Sequence, residues 1–463
     1  MTEQLKLKLN DSKATRWGAL VIVAFTMMAA YYVNDVVAPL KTMLETDLAW
    51  SSTDFGFFTG GYSFLNVFFL MLIWGGLILD RFGIRFTGKL ATILMVGGTA
   101  LEYYAMTGLA GADATLFGIN EIFGYKTGVF VAFAGYSIFG VGAEVAGITV
   151  SKIIAKWFKG KELATAMGVQ VALARIGSQA GYAVAIPLAR AFGISTPVLL
   201  GLVLLLGGMI AFFVFAVMDK KLDKQMEAAA IAAGTEDEEE KFSFKDVKNI
   251  LVNPGFWLIA LLCVLFYSCV FPFQKFASEL MIIKYGINEN VAGTFAGLPA
   301  LGALILTPVF GGFIDKRGKS ASIMLLGSAM LICVHFIYAI PDINYWLVAI
   351  VLMIILGIAF SLVPSAMWPA VVKIFPVSQL GTAYALIFFI QNIGLWGIPT
   401  LIGWVLDAYC ISGKKPDGTN MYDYTVPMCI FTGIACLSLI VALLLKKADK
   451  KYGYKLEEPN IQK

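Results

Sequence analysis

Charge is scarce in this chain: of its 463 residues 14% are charged, against 59% hydrophobic. Soluble domains carry about a quarter charged residues, so a water-soluble globule is excluded. A mean hydropathy of +0.79 belongs instead to a polytopic membrane protein. Histidine is nearly absent, with a single copy, which excludes any metal site built on two histidines. No Gly-x-Ser-x-Gly or Cys-x-x-Cys pattern occurs, so the usual nucleophile and dithiol chemistries have no footing and no enzyme is expected. Cysteines number six, but those at 263, 269, 333, 429 and 436 fall inside apolar runs. Cys410 then stands alone on the outer side, and no disulfide framework is expected. Asn10-Asp11-Ser12 is the one Asn-x-Ser/Thr match, and it lies on the N-terminal tail. Nothing calls for a cofactor, and the net charge of +4 is too small to suggest nucleic acid.

What the chain has in place of charge is length of apolar sequence. A helix needs about 20 apolar residues to cross the hydrocarbon core. Twelve runs meet that need, at roughly 17–40, 54–79, 86–109, 128–151, 162–189, 196–218, 255–284, 291–314, 320–340, 345–372, 379–406 and 425–446. The first is too long for a signal-peptide core, so cleavage is not expected. With both termini cytoplasmic, most of the 35 Lys and Arg residues fall on the cytoplasmic side, which sets the orientation.

The runs divide into two sets of six. Residues 1–218 form the first, 219–253 a polar connection containing "EDEEEK" (236–241), and 254–463 the second. The connection reads as a solvated cytoplasmic linker. An internal echo supports the division: "GGLILDRFGIR" (75–85) ends the second run and "GGFIDKRGKS" (311–320) ends the eighth. Parallel repeats of this kind, with a site at their interface, are a transporter arrangement. The expected architecture is all-α, two six-helix bundles related by a pseudo-twofold axis.

Of the charges inside the apolar runs, two stand out: Glu144 in "VFVAFAGYSIFGVGAEVAGITV" and Arg175 in "ATAMGVQVALARIGSQAGYAVAIPLA". A charge at bilayer depth is expensive unless it meets a partner or a water-filled cavity. Counted from the tight "KWFKGKE" turn, Glu144 stands 12 residues from Lys156 and Arg175 stands 14 from Lys161. At 1.5 Å per residue the depths are about 18 and 21 Å, so the two share a level near the midplane. They either form a structural ion pair or hold opposite ends of a substrate. A guanidinium fork suits a carboxylate and a carboxylate suits an ammonium, so opposed charges favour a zwitterion over a simple anion. An anion carrier, possibly proton-coupled, is the alternative; it uses Arg175 for the anion and Glu144 or Asp35 as the titrating group.

Further polar or aromatic candidates for the substrate site lie in other runs. They are Asn34 and Asp35 beside Tyr32, Tyr62 and Asn66 one turn apart, Tyr267, Trp368, and the pair Gln391 and Asn392. Lys275 and Pro272 accompany Tyr267, and Pro272 permits a kink there. Glu102 and His335 also fall inside runs.

Gly76, Asp80, Arg81, Gly83 and Arg85 between the second and third runs resemble the loop signature of the major facilitator superfamily. Asp315, Lys316 and Arg317 supply the second copy. An aspartate at a helix end that pairs only when one side is closed acts as a latch. A narrower resemblance is carried by "SKIIAKWFKGKELATAMGVQVALARIGSQ", "NPGFWLIALLCVLFYSCVFPF" and "MWPAVVKIFPVSQLGTAYALIFFIQNIGL". These resemble the lysosomal dipeptide uniporters of that superfamily. The resemblance implies twelve helices, alternating access, and dipeptide transport without proton coupling. It also implies that the acid of helix four and the Arg of helix five, here Glu144 and Arg175, hold the peptide's amino and carboxylate ends. The short N-terminal tail lacks an acidic dileucine signal, so a bacterial inner membrane is the expected location. The expected partners are a small zwitterionic substrate and the lipid bilayer, with any accessory subunit left open.

Overall fold

A computed structural model describes residues 8–111, 114–158, 161–233, 244–376 and 379–459. The acidic run 236–241 lies outside them. The first half contains α1 (Lys13–Val36), α2 (Lys41–Asp47), α3 (Ser52–Phe68), α4 (Met71–Thr107), α5 (Thr127–Trp157), α6 (Leu163–Phe192) and α7 (Thr196–Ala233). After α8 (Phe244–Val252) come α9 (Pro254–Tyr285), α10 (Glu289–Ala296), α11 (Leu298–Arg317), α12 (Ser320–Ala339), α13 (Trp346–Ile374), α14 (Leu380–Tyr409) and α15 (Thr425–Tyr452). Two antiparallel hairpins, β1 (Glu121–Ile122) with β2 (Tyr125–Lys126) and β3 (Ile411–Lys414) with β4 (Asn420–Tyr422), mark one face of the molecule. The termini mark the other.

Helix ends follow local sequence signals. Ser12 accepts from the Thr15 amide to cap α1, and Ser51 with Asp54 forms a reciprocal capping box on α3. Pro254 opens α9 at a position where a missing N–H is harmless, and Gly286 closes it in the left-handed conformation.

Among the described residues, nine helical stretches are long and apolar enough to cross a membrane, and α3 with α4 makes a tenth as a bent pair. The expectation of twelve uniform spans is therefore met only in part by length and apolarity. The twelve expected runs fall largely in helices, but several depart from plain rods: the first ends its α-helix at Val36, and the eighth is split at Gly297 between α10 and α11. The second run, expected continuous over 54–79, breaks at Phe69–Leu70, where the two helices bend by 58°. Leu70 takes φ +53. Farther along, Gly83 (φ +74) divides α4 into two limbs that serve the second and third runs. A β-carbon is disfavoured at such a φ, which accounts for the glycine there. The sixth run also extends beyond its expected end at 218, because α7 continues as helix to Ala233.

Within the first half α5 packs against α3 and α4, and α1 against α6 and α7; within the second, α12 packs on α13 and α15, α11 on α13, and α9 on α14 and α15. The halves meet along α3 against α14, and along α6 against α10 and α11. The first of these contacts is made backbone to backbone. A Cβ on Gly56 would sit 2.4 Å from the Pro399 carbonyl oxygen, and one on Gly403 would sit 2.3 Å from that of Ser52. Small residues at membrane helix crossings serve this purpose.

Candidate functional site

Glu144 on α5 is half-buried and accepts a hydrogen bond from the Tyr62 hydroxyl of α3 at 3.1 Å. Arg175 on α6 meets no carboxylate. Its guanidinium carbon lies 4.7 Å from the ring centre of Phe360 on α13 and 5.7 Å from that of Tyr31 on α1. Tyr31 is thus the α1 ring beside Arg175. No ion pair joins Glu144 to Arg175, so in this conformation they do not clasp each other. Among the described residues no acceptor engages the Arg175 N–H donors, and the rings contribute cation–π attraction without a carboxylate or carbonyl.

The expected site residues separate into groups. Tyr62 and Glu144 meet directly, and Arg175 lies over the rings of Tyr31 and Phe360. Tyr267 joins them through an aromatic wall, stacked on Phe271 at 5.4 Å and edge-on to Phe360 at 6.2 Å. Asn34 and Asp35 are placed elsewhere, in a knot nearer the hairpin face. There Lys275 of α9 donates to the Asn34 carbonyl at 2.6 Å and to the Asp35 carboxylate at 3.2 Å, and Tyr136 donates to the same carbonyl at 2.8 Å. Ser178 also donates to Asp35. Asn66 is buried with neither amide atom partnered. Gln391 accepts from the Cys263 thiol at 3.3 Å, and Asn392 donates to the Phe388 carbonyl one turn back in its own helix. Trp368 packs on Tyr384 and Phe388 and lines a cleft at the termini face with Asp315, Lys373 and Tyr454.

Two residues at the site escape sequence reasoning. Tyr31 was passed over for its neighbour Tyr32, which is buried and donates to the Pro197 carbonyl. Phe360 carries no signal at all among 35 phenylalanines.

Of the latch residues, Asp80 pairs with Lys152 at 3.2 Å, and Arg85 pairs with Asp219 at 3.3 Å and also with Asp223. Arg81 lies over the ring of Phe82, Gly76 is uncrowded, Gly83 supplies the positive φ, and Lys316 and Arg317 are exposed at the end of α11. Asp315 borders the termini-face cleft. The Asp80 and Arg85 pairs join helices α4, α5 and α7 of the first half.

The hairpin face differs. Lys41 of α2 pairs with Glu279 of α9 and with Glu45, each at 2.5 Å. Lys415, just after β3, reaches Glu45 at 3.5 Å and Glu279 at 3.4 Å, and Tyr424 donates to Glu279 at 2.5 Å. Arg190 of α6 pairs with Glu289 of α10. Among the described residues, the ion pairs that join the two halves (Lys41–Glu279, Lys415–Glu45, Lys275–Asp35 and Arg190–Glu289) all lie toward this face. Among the described residues, the halves are thus fastened by ion pairs on the hairpin side.

The sequence model of the Major Facilitator Superfamily matches residues 20–399 and 276–458. The human lysosomal dipeptide transporter MFSD1 is 29% identical over 454 residues, covering 95% of this chain and 88% of the relative. Its counterpart in Danio rerio is 26% identical, covering 93% and 86%. The counterpart in Gallus gallus reaches 33% identity over a shorter stretch, 59% of this chain and 62% of the relative. Among solved structures, a variant of the nucleoside transporter NupG superposes with TM-score 0.68 at 12% identity, covering 92% of this chain and 98% of that one. A D-xylose-proton symporter superposes with TM-score 0.64 at 15% identity, covering 93% and 97%. At these identities the structural likeness concerns the fold alone.

Proposed function

This chain belongs to the Major Facilitator Superfamily, and on that premise we propose that it carries dipeptides or closely related zwitterions across a membrane by alternating access. It is a transporter and not an enzyme. The observation that supports the substrate reading is the unclasped pair: Glu144 held by Tyr62, and Arg175 held by the rings of Tyr31 and Phe360. In this reading Arg175 takes the peptide carboxylate through its fork, and Glu144 takes the ammonium with Tyr62 orienting it. The similarity to lysosomal dipeptide transporters supports the same assignment.

The halves, 1–218 and 254–463, rock as bodies about this level, joined by the connection at 219–253. In this reading the excess of basic residues marks the termini face as cytoplasmic, and a bacterial inner membrane is the proposed location. With that orientation the hairpin face is the outer one, and ion pairs among the described residues hold the halves together there. We take uniport as the mode, as the resemblance to the dipeptide uniporters of the superfamily implies.

Proteoliposome counterflow tests the reading. Trans-loaded dipeptide is expected to accelerate uptake of labelled dipeptide, with no dependence on an imposed pH gradient. If anions alone drive exchange and Glu144→Gln leaves it unchanged, the chain is an anion carrier and the peptide reading is wrong.

A further inference from the structure

Arg175 is an unpaired cation in a membrane-length helix, and what holds it is aromatic. Tyr31 belongs to its own half, on α1, while Phe360 belongs to the opposite half, on α13. Phe360 is the nearer of the two, at 4.7 Å against 5.7 Å, and it is only 2% exposed. It cannot drift, since its ring is fixed edge-on by Phe271 at 5.3 Å and by Tyr267 at 6.2 Å.

We propose that Phe360 is a positioning residue for the substrate's carboxylate, acting through Arg175. The proposal rests on the dipeptide reading above. A carboxylate at the place of Phe360 would occupy the guanidinium fork and compete with substrate. A ring stabilises the same cation by its face and leaves the fork vacant and oriented. A flexible Arg side chain otherwise loses rotamer freedom when it binds; the ring removes that loss beforehand. Because the ring comes from the second half, the fork is oriented only while the halves meet at this level. Binding of the carboxylate is therefore favoured in conformations where α6 and α13 touch, which ties recognition at the first half to the position of the second.

The test compares a dipeptide with its C-terminal amide, which lacks the carboxylate. Affinities are measured on purified, detergent-solubilised full chain for wild type, Phe360→Leu, Phe360→Met, Phe360→Trp and Arg175→Lys. Phe360→Leu and Phe360→Met are expected to weaken dipeptide binding about 3- to 30-fold, the span of cation–π contributions from exposed to desolvated sites. Binding of the amide is expected to change less than twofold, and Phe360→Trp, which keeps a ring, is expected to restore most of the dipeptide affinity. A purely packing role would weaken dipeptide and amide together, and that result overturns the proposal. Unchanged dipeptide affinity in both aliphatic variants also overturns it, while loss in Arg175→Lys alone leaves the dipeptide reading standing. If Arg175→Lys is indifferent as well, the dipeptide reading itself fails.

Discussion

Glu144 and Arg175 each have one kind of company and lack another. Tyr62 gives Glu144 a neutral donor, and Arg175 has rings, so neither charge is neutralised in this conformation. A hydrogen bond to a charged group contributes about 1.5–3 kcal/mol, equivalent to roughly 10- to 150-fold in affinity. Glu144→Gln and Arg175→Lys are each expected to raise the KM for dipeptide by that order in counterflow. Glu144→Gln, with its carboxylate gone, should affect an N-acetylated dipeptide far less. Equal losses for both substrates would show that Glu144 does not read the ammonium. These two residues were legible in sequence because an ion in an apolar run is costly and therefore conspicuous. Phe360 was illegible for the opposite reason: an aromatic ring in lipid costs nothing and stands out from nothing. Asn34 and Asp35 were visible as polar, yet their placement depends on Lys275, 240 residues on from Asp35, and no local pattern announces such a partner.

At the scale of helices, the crossing of α3 over α14 decides how closely the halves approach. Gly56 and Gly403 face each other there with backbone atoms inside the space of a methyl group. Overpacking a tight contact costs typically about 1–3 kcal/mol, and here the obstructing atoms are carbonyl oxygens that no rotamer change can move. Gly56→Ala and Gly403→Ala are expected to lower the thermal unfolding midpoint and slow counterflow. Gly97→Ala is the control, because its methyl meets nothing within 4 Å and should leave both unchanged or raise the midpoint slightly. Equal midpoints for Gly56→Ala and Gly97→Ala would mean the halves can part at this crossing without penalty. Most helices were readable from apolar run length alone, and the Gly83 break from its glycine within the Asp-Arg-x-Gly signature. The bend at Leu70 was not readable, because neither glycine nor proline stands there to mark it. The extension of α7 to Ala233 was hidden by its composition, since "DKKLDKQMEAAAIAA" reads as a solvated connection while being strongly helix-forming.

For the whole molecule, the buried charges that join the halves on the hairpin face bear on which conformation prevails. On the hairpin face Lys41 and Glu279 are nearly sealed from solvent, with side chains 1% and 0% exposed, and Glu45 and Lys415 complete a four-charge cluster across the halves. On the termini face Asp80 and Lys152 pair within one half at 62% and 38% exposure, a setting in which an ion pair contributes about 0–1 kcal/mol. Removing one partner from a buried pair costs about 3–5 kcal/mol, because the other charge is left uncompensated. Glu279→Gln strands Lys41 and Lys415 only while the hairpin face is closed; opening that face returns both to water. The substitution should therefore shift the carrier toward the hairpin-open state by most of the roughly 5.5 kcal/mol that would invert a 99:1 population. Spin labels at Phe117 in the first half and Tyr409 in the second, both exposed on this face, would report it in a background freed of native cysteines. Wild type should give one short distance population, and Glu279→Gln should add a longer one. Asp80→Asn should change the distribution little, because its pair is exposed and joins no second half. A Glu279→Gln protein that keeps the wild-type distribution while folded would show that the four-charge cluster does not hold the face shut.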